Sequence, residues 1–408
     1  MVSGDLMNTH FKPVKITDHV YWVGAIDWNI RDFHGYTTRR GTTYNAYLIL
    51  ADKITLIDTV KAPFRDELLS RIASLIDPKE IAYIISNHSE MDHTGCLPEI
   101  INAVQPEKVL ASTMGVKALR EHFGNDMQIQ EVKDGEELSL GNLKVQFFET
   151  RLLHWPDSML TYLVEDELLF SQDGFGMHLA SSERFADELD TCILRQEAAA
   201  YFANILMPFA KTVNTNIDKL NNAGISIRII APDHGPVWRE NPMSIVELYS
   251  RWANKAPSNK AVVAYGTMWH STGMMARAIC EGLTAGGAKY ELMPLNAVHR
   301  SDVATHMLDA SALLIGSSTL NNQMLPQVAD VMTYLKGLKP TGLIGAAFGS
   351  YGWSGDAPGQ LEDILKSMKV DLICDPIKVK YVPTDEDLAR CCELGKLVAA
   401  KLRENIRD

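Results

Sequence analysis

Six consecutive residues, His88-Ser89-Glu90-Met91-Asp92-His93, carry four side chains able to ligate a metal, directly after the apolar run Ile81-Ala-Tyr-Ile-Ile-Ser86. If the chain leaves that strand still extended, positions 88, 90 and 92 project to one side with the pleat's period of two, and His93 begins the turn away. One side can then serve one ion while Asp92 and His93 face a second. Mixed imidazole and carboxylate ligands suit iron, manganese or zinc, and a carboxylate where a third histidine could stand favours a harder ion such as iron. Alone, a polar loop rich in acids and histidines would look the same, so the six residues need partners.

Three candidates lie further along the chain. His154 sits in Thr150-Arg-Leu-Leu-His154-Trp-Pro-Asp-Ser158, Asp173 in Phe170-Ser-Gln-Asp173-Gly, and His234 in Ile229-Ile-Ala-Pro-Asp-His234-Gly-Pro. Each follows the end of an expected strand. Loops beyond strand ends gather into one site in layered α/β domains, so residues distant in sequence can converge there. Taken singly, each histidine reads more readily as a hydrogen-bonded structural residue; taken together they complete a metal site.

The elements that must position these residues change character near residue 250. From Val20 to Phe170 short β-rich runs dominate: Val20–Val23, Asn45–Leu50, Lys53–Asp58, Ile81–Ser86, Lys144–Glu149, Leu160–Val164 and Glu167–Phe170. Helical patterns interrupt them at Phe64–Ile76, Met114–Phe123 and over a long stretch from Glu188 to Ala223, which predicts a layered α/β domain with much antiparallel strand. After Trp252-Ala-Asn-Lys-Ala-Pro-Ser258 the rhythm is regular: strands at 260–265, 289–294, 312–316, 343–348 and around Leu372 alternate with helices at 271–285, 302–309, 325–337, 357–368 and 384–404. That alternation predicts a doubly wound, five-stranded parallel sheet. The 408 residues thus divide into domains at 1–253 and 254–408.

The second domain carries a different chemistry. Its first strand runs into Thr267-Met268-Trp269-His270-Ser271-Thr272 and then a helix, so hydroxyls and free N–H groups at the helix start can surround a phosphate monoester. There is no P-loop lysine and no G-x-G-x-x-G, which favours a mononucleotide flavin over a nucleoside triphosphate or dinucleotide. Two more strand-end loops can enclose a flat ring: Ser318-Thr319-Leu320-Asn321-Asn322 and Ser350-Tyr351-Gly352-Trp353-Ser354-Gly355. Three loops in this order point to FMN.

Composition narrows the partners. A formal charge of -12 argues against nucleic acid, which needs surplus Lys and Arg. No apolar run is long enough to cross a bilayer, and residues 1–16 lack the layout of a signal peptide, so a cytoplasmic location is expected. The six cysteines contain no C-x-x-C, so the reading includes neither a disulfide framework nor an attached iron–sulfur module.

Over its first 250 residues the chain resembles the metallo-β-lactamase superfamily, whose signature is H-x-H-x-D-H followed by a later His, an Asp and a last His. Glu90 replaces the second histidine. That substitution, with Asn29-Ile-Arg-Asp-Phe-His-Gly-Tyr36, Arg40–Tyr47 and Leu153–Ser158, resembles the flavodiiron proteins, and the likeness extends over essentially the whole chain. The resemblance implies an αββα sandwich followed by a flavodoxin-like sheet. It implies one iron on His88, Glu90 and His154, another on Asp92, His93 and His234, and Asp173 bridging; in some members the residue matching His93 is swung off the metal. Three carboxylates against the charge of two ferrous ions leave a nearly neutral site that can accept oxygen or nitrogen-oxide ligands. His178 and Tyr36 could donate protons or hydrogen bonds nearby.

The implied activity is reduction of O2 to water, of NO to N2O, or both, with electrons passing through FMN. The implied assembly is a head-to-tail homodimer, or a dimer of such dimers, that sets one subunit's flavin against its neighbour's irons. The donor would be separate: rubredoxin, a reduced deazaflavin or a flavin reductase. Two other readings use the same residues. In one, a zinc site hydrolyses an ester or thioester; in the other, the chain is a non-enzymatic flavin sensor with a vestigial metal pocket.

Overall fold

The computed structural model describes residues 10–407. They form two compact units: one comprises the described residues up to His34 with Thr38–Tyr201 and Phe209–Ser250, the other Gly35–Thr37, Phe202–Pro208 and the chain from Arg251.

In the first unit two sheets face each other. One runs in the order Val14–Lys15, Val20–Trp22, Tyr47–Ile49, Thr55–Ile57, Tyr83–Ser86, Lys108–Ser112, Gln130–Val132; the other in the order Glu137–Ser139, Lys144–Glu149, Met159–Leu163, Leu168–Gln172, Ile229–Pro232. Ile57, Ile85 and Leu110 of the first meet Phe147, Leu163 and Phe170 of the second in a closed core. Their chain neighbours Leu56, Ile84 and Ala111 point the opposite way, against Leu68 and Ile72 of helix Arg65–Ala73 and Ile100 of helix Leu97–Val104. Strands apolar on both faces read as continuous apolar runs because both faces are covered. On the far side Leu169 and Ile230 border Ile217, Leu220 and Val246 of helical segments. The layers are therefore αββα.

Two local expectations change. The helical pattern from Glu188 to Ala223 is broken into helix Thr191–Tyr201, a wide turn at Phe202–Leu206 followed by a tight one at Met207–Phe209, and helix Ala210–Asn222. Pro208 supplies the reason, since it lacks an N–H and its ring clashes with the carbonyl four residues back. The extended backbone after Ser86 also stops sooner than expected: Glu90 is still extended (φ -62°, ψ 146°), but Met91–Thr94 is a helical turn. The period of two therefore holds for His88 and Glu90 and not for Asp92.

The second unit is a parallel sheet in the order Lys289–Pro294, Lys260–Gly266, Ala312–Ser317, Ile344–Tyr351, with the fifth strand split into Asp371–Leu372 and Ile377–Lys380, both paired to Ile344–Tyr351. Helices Ser271–Ala285 and Asp385–Arg407 cover one face, helices Arg300–Met307 and Pro326–Leu338 the other. The first pair packs backbone to backbone. A Cβ on Gly282 would run into the carbonyl oxygen of Cys392, and one on Gly395 into that of Ile279. Among the described residues no helix is long and apolar enough to cross a membrane.

Candidate metal centre and flavin pocket

All seven expected metal ligands converge beyond the strand ends of the first unit. His88 and Glu90 leave strand Tyr83–Ser86, Asp92 and His93 lie on the turn Met91–Thr94, and His154 follows Lys144–Glu149. Asp173 follows Leu168–Gln172, and His234 follows Ile229–Pro232. They form two groups that could each hold an ion: His88, Glu90, His154 and Asp173, and Asp92, His93 and His234.

Asp173 joins the groups. Its Oδ2 lies 2.8 Å from His154 Nε2 and 3.5 Å from His88 Nε2, while its Oδ1 lies 3.2 Å from His93 Nε2 and 3.4 Å from His234 Nε2. Glu90 Oε2 is 3.2 Å from His88 Nε2 and 3.3 Å from His154 Nε2. Asp92 Oδ2 is 3.2 Å from His234 Nε2, and its Oδ1 3.4 Å from His93 Nε2. Ligand atoms about 2.1 Å from a shared ion stand roughly 3.0–3.4 Å from one another, so these spacings suit a metal better than a set of hydrogen bonds. Both oxygens of Asp92, Oδ1 of Asp173 and both ring nitrogens of His93 are buried without a hydrogen-bond partner among the described residues.

The electrostatics agree. Without a cation, burial would push Glu90, Asp92 and Asp173 up, yet the facing imidazoles hold all three carboxyls below their ordinary range. Burial would likewise lower the histidines, yet the acids outweigh it: His88 is held well above its ordinary value, His154 is raised, and His93 is raised to about 10. The pocket is built to hold positive charge, which protons supply when no ion does.

Several residues that sequence reasoning leaves without a role stand behind the ligands. Asp157 Oδ2 accepts from Ser89 N at 2.6 Å and lies 3.3 Å from His88 Nδ1. His234 donates Nδ1–H to the carbonyl of Thr43 at 2.6 Å. Asp233 lies behind His93. His34, mostly exposed and at φ 54°, places Nε2 2.9 Å from Glu90 Oε1. An acid adjoining or close to a ligand histidine is the available signal, in Asp233-His234 and in His154-Trp-Pro-Asp157; His34 lies in the Asn29–Tyr36 segment that carries the resemblance, but nothing there marks its ring as a partner of Glu90. Of the two residues read as nearby donors, His178 is buried beside His234, their ring centroids 4.6 Å apart, and its Nδ1 meets Thr42 Oγ1 at 2.8 Å. Burial first, and then His234, hold His178 well below its ordinary value, so it is neutral. Tyr36 belongs to the second unit.

In that unit the three expected loops enclose a pocket of about 460 Å3, a size that suits a cofactor. Met268, Trp269 and Ser271 line it from the first loop, residues 318–322 from the second and residues 350–354 from the third. Tyr381 and Val382 complete the wall; sequence reasoning misses them, although they follow the last strand and so obey the same strand-end rule. Thr267, His270, Thr272 and Gly355 do not line the cavity. Thr272 is instead fully buried behind it, its Oγ1 bonded to Ser318 Oγ at 3.0 Å and Ser350 Oγ at 2.9 Å, which ties the three loops together. Helix Ser271–Ala285 starts with no side-chain cap, and its first residue, Ser271, lines the cavity, a helix start of the kind that suits a phosphate. Trp269 and Trp353 leave 86% and 88% of their surface exposed at the rim, as suits residues that meet a flat ring.

A two-metal lactamase-type unit joined to a flavodoxin-type unit defines a class of two-domain redox proteins. Family models agree: residues 42–235 match the ODP family beta lactamase and residues 263–395 match flavodoxin. The chain is 46% identical over 397 residues to a nitric oxide reductase of Moorella thermoacetica, covering 96% of this chain and 100% of that protein. Its fold is similar to that of rubredoxin oxygen:oxidoreductase from Desulfovibrio gigas (TM-score 0.95, 44% identity, 97% and 100% of the two chains). It is likewise similar to the flavodiiron protein from Giardia intestinalis (TM-score 0.93, 32% identity, 98% of each chain). The chain belongs to the flavodiiron proteins, oxidoreductases that pair FMN with a diiron centre.

Proposed function

We propose that this protein reduces O2 to water, NO to N2O, or both, at two irons in the first unit, with electrons delivered through FMN in the second. The observation that carries the reading is Asp173, whose two oxygens face two separate ligand groups. His88, Glu90 and His154 would hold one iron and Asp92, His93 and His234 the other, with Asp173 placed to serve both. Two ferrous ions held there would supply two electrons to a small diatomic molecule, and reduced FMN would supply two more. The chain's own part is to hold the imidazoles by Nδ1, through Asp157 and the Thr43 carbonyl, and to keep a neutral His178 beside His234. Relatives named for NO and for O2 both match at similar identity, so names do not choose the gas.

The remaining parts of the reading are a domain division at residue 253, a cytoplasmic location, a head-to-tail homodimer and a separate donor such as rubredoxin, a reduced deazaflavin or a flavin reductase. Anaerobic stopped-flow of the fully reduced protein against each gas tests the activity. A large ratio of reoxidation rates names the substrate, and comparable rates mean both. Asp173→Ala should abolish turnover while the flavin spectrum persists; unchanged turnover refutes a catalytic two-iron site.

A further inference from the structure

The imidazoles of the metal centre are not fastened alike. His234 donates Nδ1–H to the Thr43 carbonyl at 2.6 Å, and His88 Nδ1 lies 3.3 Å from Asp157, itself held by Ser89 N. His93 Nδ1 has no hydrogen-bond partner among the described residues, and the carboxylate it faces is Asp233, with Oδ2 3.5 Å away. Asp233 is fully buried with neither oxygen hydrogen-bonded, while its backbone is pinned: Asp233 N donates to Gln172 O at 2.9 Å, and Asn45 N donates to Asp233 O at 2.7 Å. The other nearby acid, Asp58, has both oxygens taken by Asn87, at 2.7 and 2.8 Å. Asp233 is thus the acceptor left for His93, and His93 the donor left for Asp233.

We infer that Asp233 is the positioning residue for His93: its carboxylate accepts the Nδ1 hydrogen bond, keeps Nε2 turned to Asp92 and Asp173, and so sets the affinity of one iron and not of its neighbour. The inference rests on the two-iron reading above. It is selective because Asp157 serves the other group, on His88. Removing a partner of this kind weakens metal binding by about 10- to 100-fold.

The test is chelator competition on the ferrous-loaded full chain, with irons per chain counted and the Mössbauer spectrum recorded. Wild type should hold two irons; fewer than two overturns the two-iron reading itself, before any variant is made. Asp233→Ala should lose one iron at a chelator concentration where wild type keeps both, and the missing spectral component should be the one lost in His93→Ala. Asp157→Ala should weaken the other component. Asp233→Asn, whose amide oxygen can still accept from Nδ1, should recover part of the affinity, and it carries the test if the alanine variant does not fold. Wild-type affinity for both irons in Asp233→Ala, or in Asp233→Asn where that variant stands in, overturns the inference, as does equal loss of both.

Discussion

Loading the metal centre should expel protons, and the number can be worked out. At pH 8 an imidazole with an ordinary value of about 6.5 carries roughly 0.03 proton, so four unperturbed histidines would release only about 0.1. Burial alone would lower His93 further, but Asp92, Asp173 and Asp233 outweigh it and raise the ring to about 10, so it is about 99% protonated at that pH. His88 and Asp233 are also held well above their ordinary values, so at least the proton on His93 should leave as ions displace it, and these two groups can only add to the count. Asp58, raised to about 6 by burial, is ionised at pH 8 and adds little.

The sign follows from the raised values. Metal affinity should climb with pH until about 10, because ions compete with protons for the same nitrogens. The ion-free protein should lose stability as pH rises from about 6.5 through about 10, since a raised folded-state value contributes fully below the unfolded value and is lost through the folded one. The assay is anaerobic calorimetric titration of ion-free protein with ferrous iron at pH 8 in two buffers of different ionisation heat. The difference in heat counts the protons, and fewer than about half a proton per chain would refute the electrostatic account of the site.

Two further outcomes concern the flavin unit. Thr272→Val keeps the shape but removes the hydroxyl that joins Ser318 and Ser350; two hydrogen bonds at about 1 kcal/mol each predict FMN binding weaker by about thirtyfold. Fluorescence titration with FMN measures this, and an unchanged dissociation constant would show that the loops do not depend on that tie. Gly282→Val places a side chain against the Cys392 carbonyl and should destabilise the unit by about 1–3 kcal/mol. Thermal unfolding followed by flavin release reads this out, and a wild-type midpoint would mean the two helices can separate freely.

How much is legible in the sequence depends on whether local pattern or tertiary geometry decides the point. Strand-end residues such as His154, Asp173 and His234 are readable because strands of this kind announce themselves as apolar runs and their loops share one edge. Asp92 falls in the second group because Met91–Thr94 is a helical turn, whereas extended backbone would have put it on the side of His88 and Glu90; apolar periodicity over so few residues cannot reveal this. The break after Tyr201 is hidden because residues 188–223 keep a helical pattern on both sides of Pro208. Thr272 looks like a phosphate ligand by position, yet only the three-dimensional meeting of Ser318 and Ser350 shows that it braces the loops from behind. Asp233 and Asp157 need the same kind of information, because an acid beside a histidine has no role until the ring it faces is known.

The glycine crossing between helices Ser271–Ala285 and Asp385–Arg407 has a consequence for how the protein is made. Every residue lining the flavin pocket precedes Thr384, yet the helix whose first residue lines that pocket is seated against a helix synthesised after all of them. During translation the metal-bearing unit, whose chain is complete by Ser250, can fold while the ribosome is still at work. The flavin pocket can reach its final shape only after the last helix has emerged. Metal capture and flavin capture should therefore be separable in time, and a ribosome stalled before residue 385 should present a unit able to take up metal but poorly able to keep its flavin.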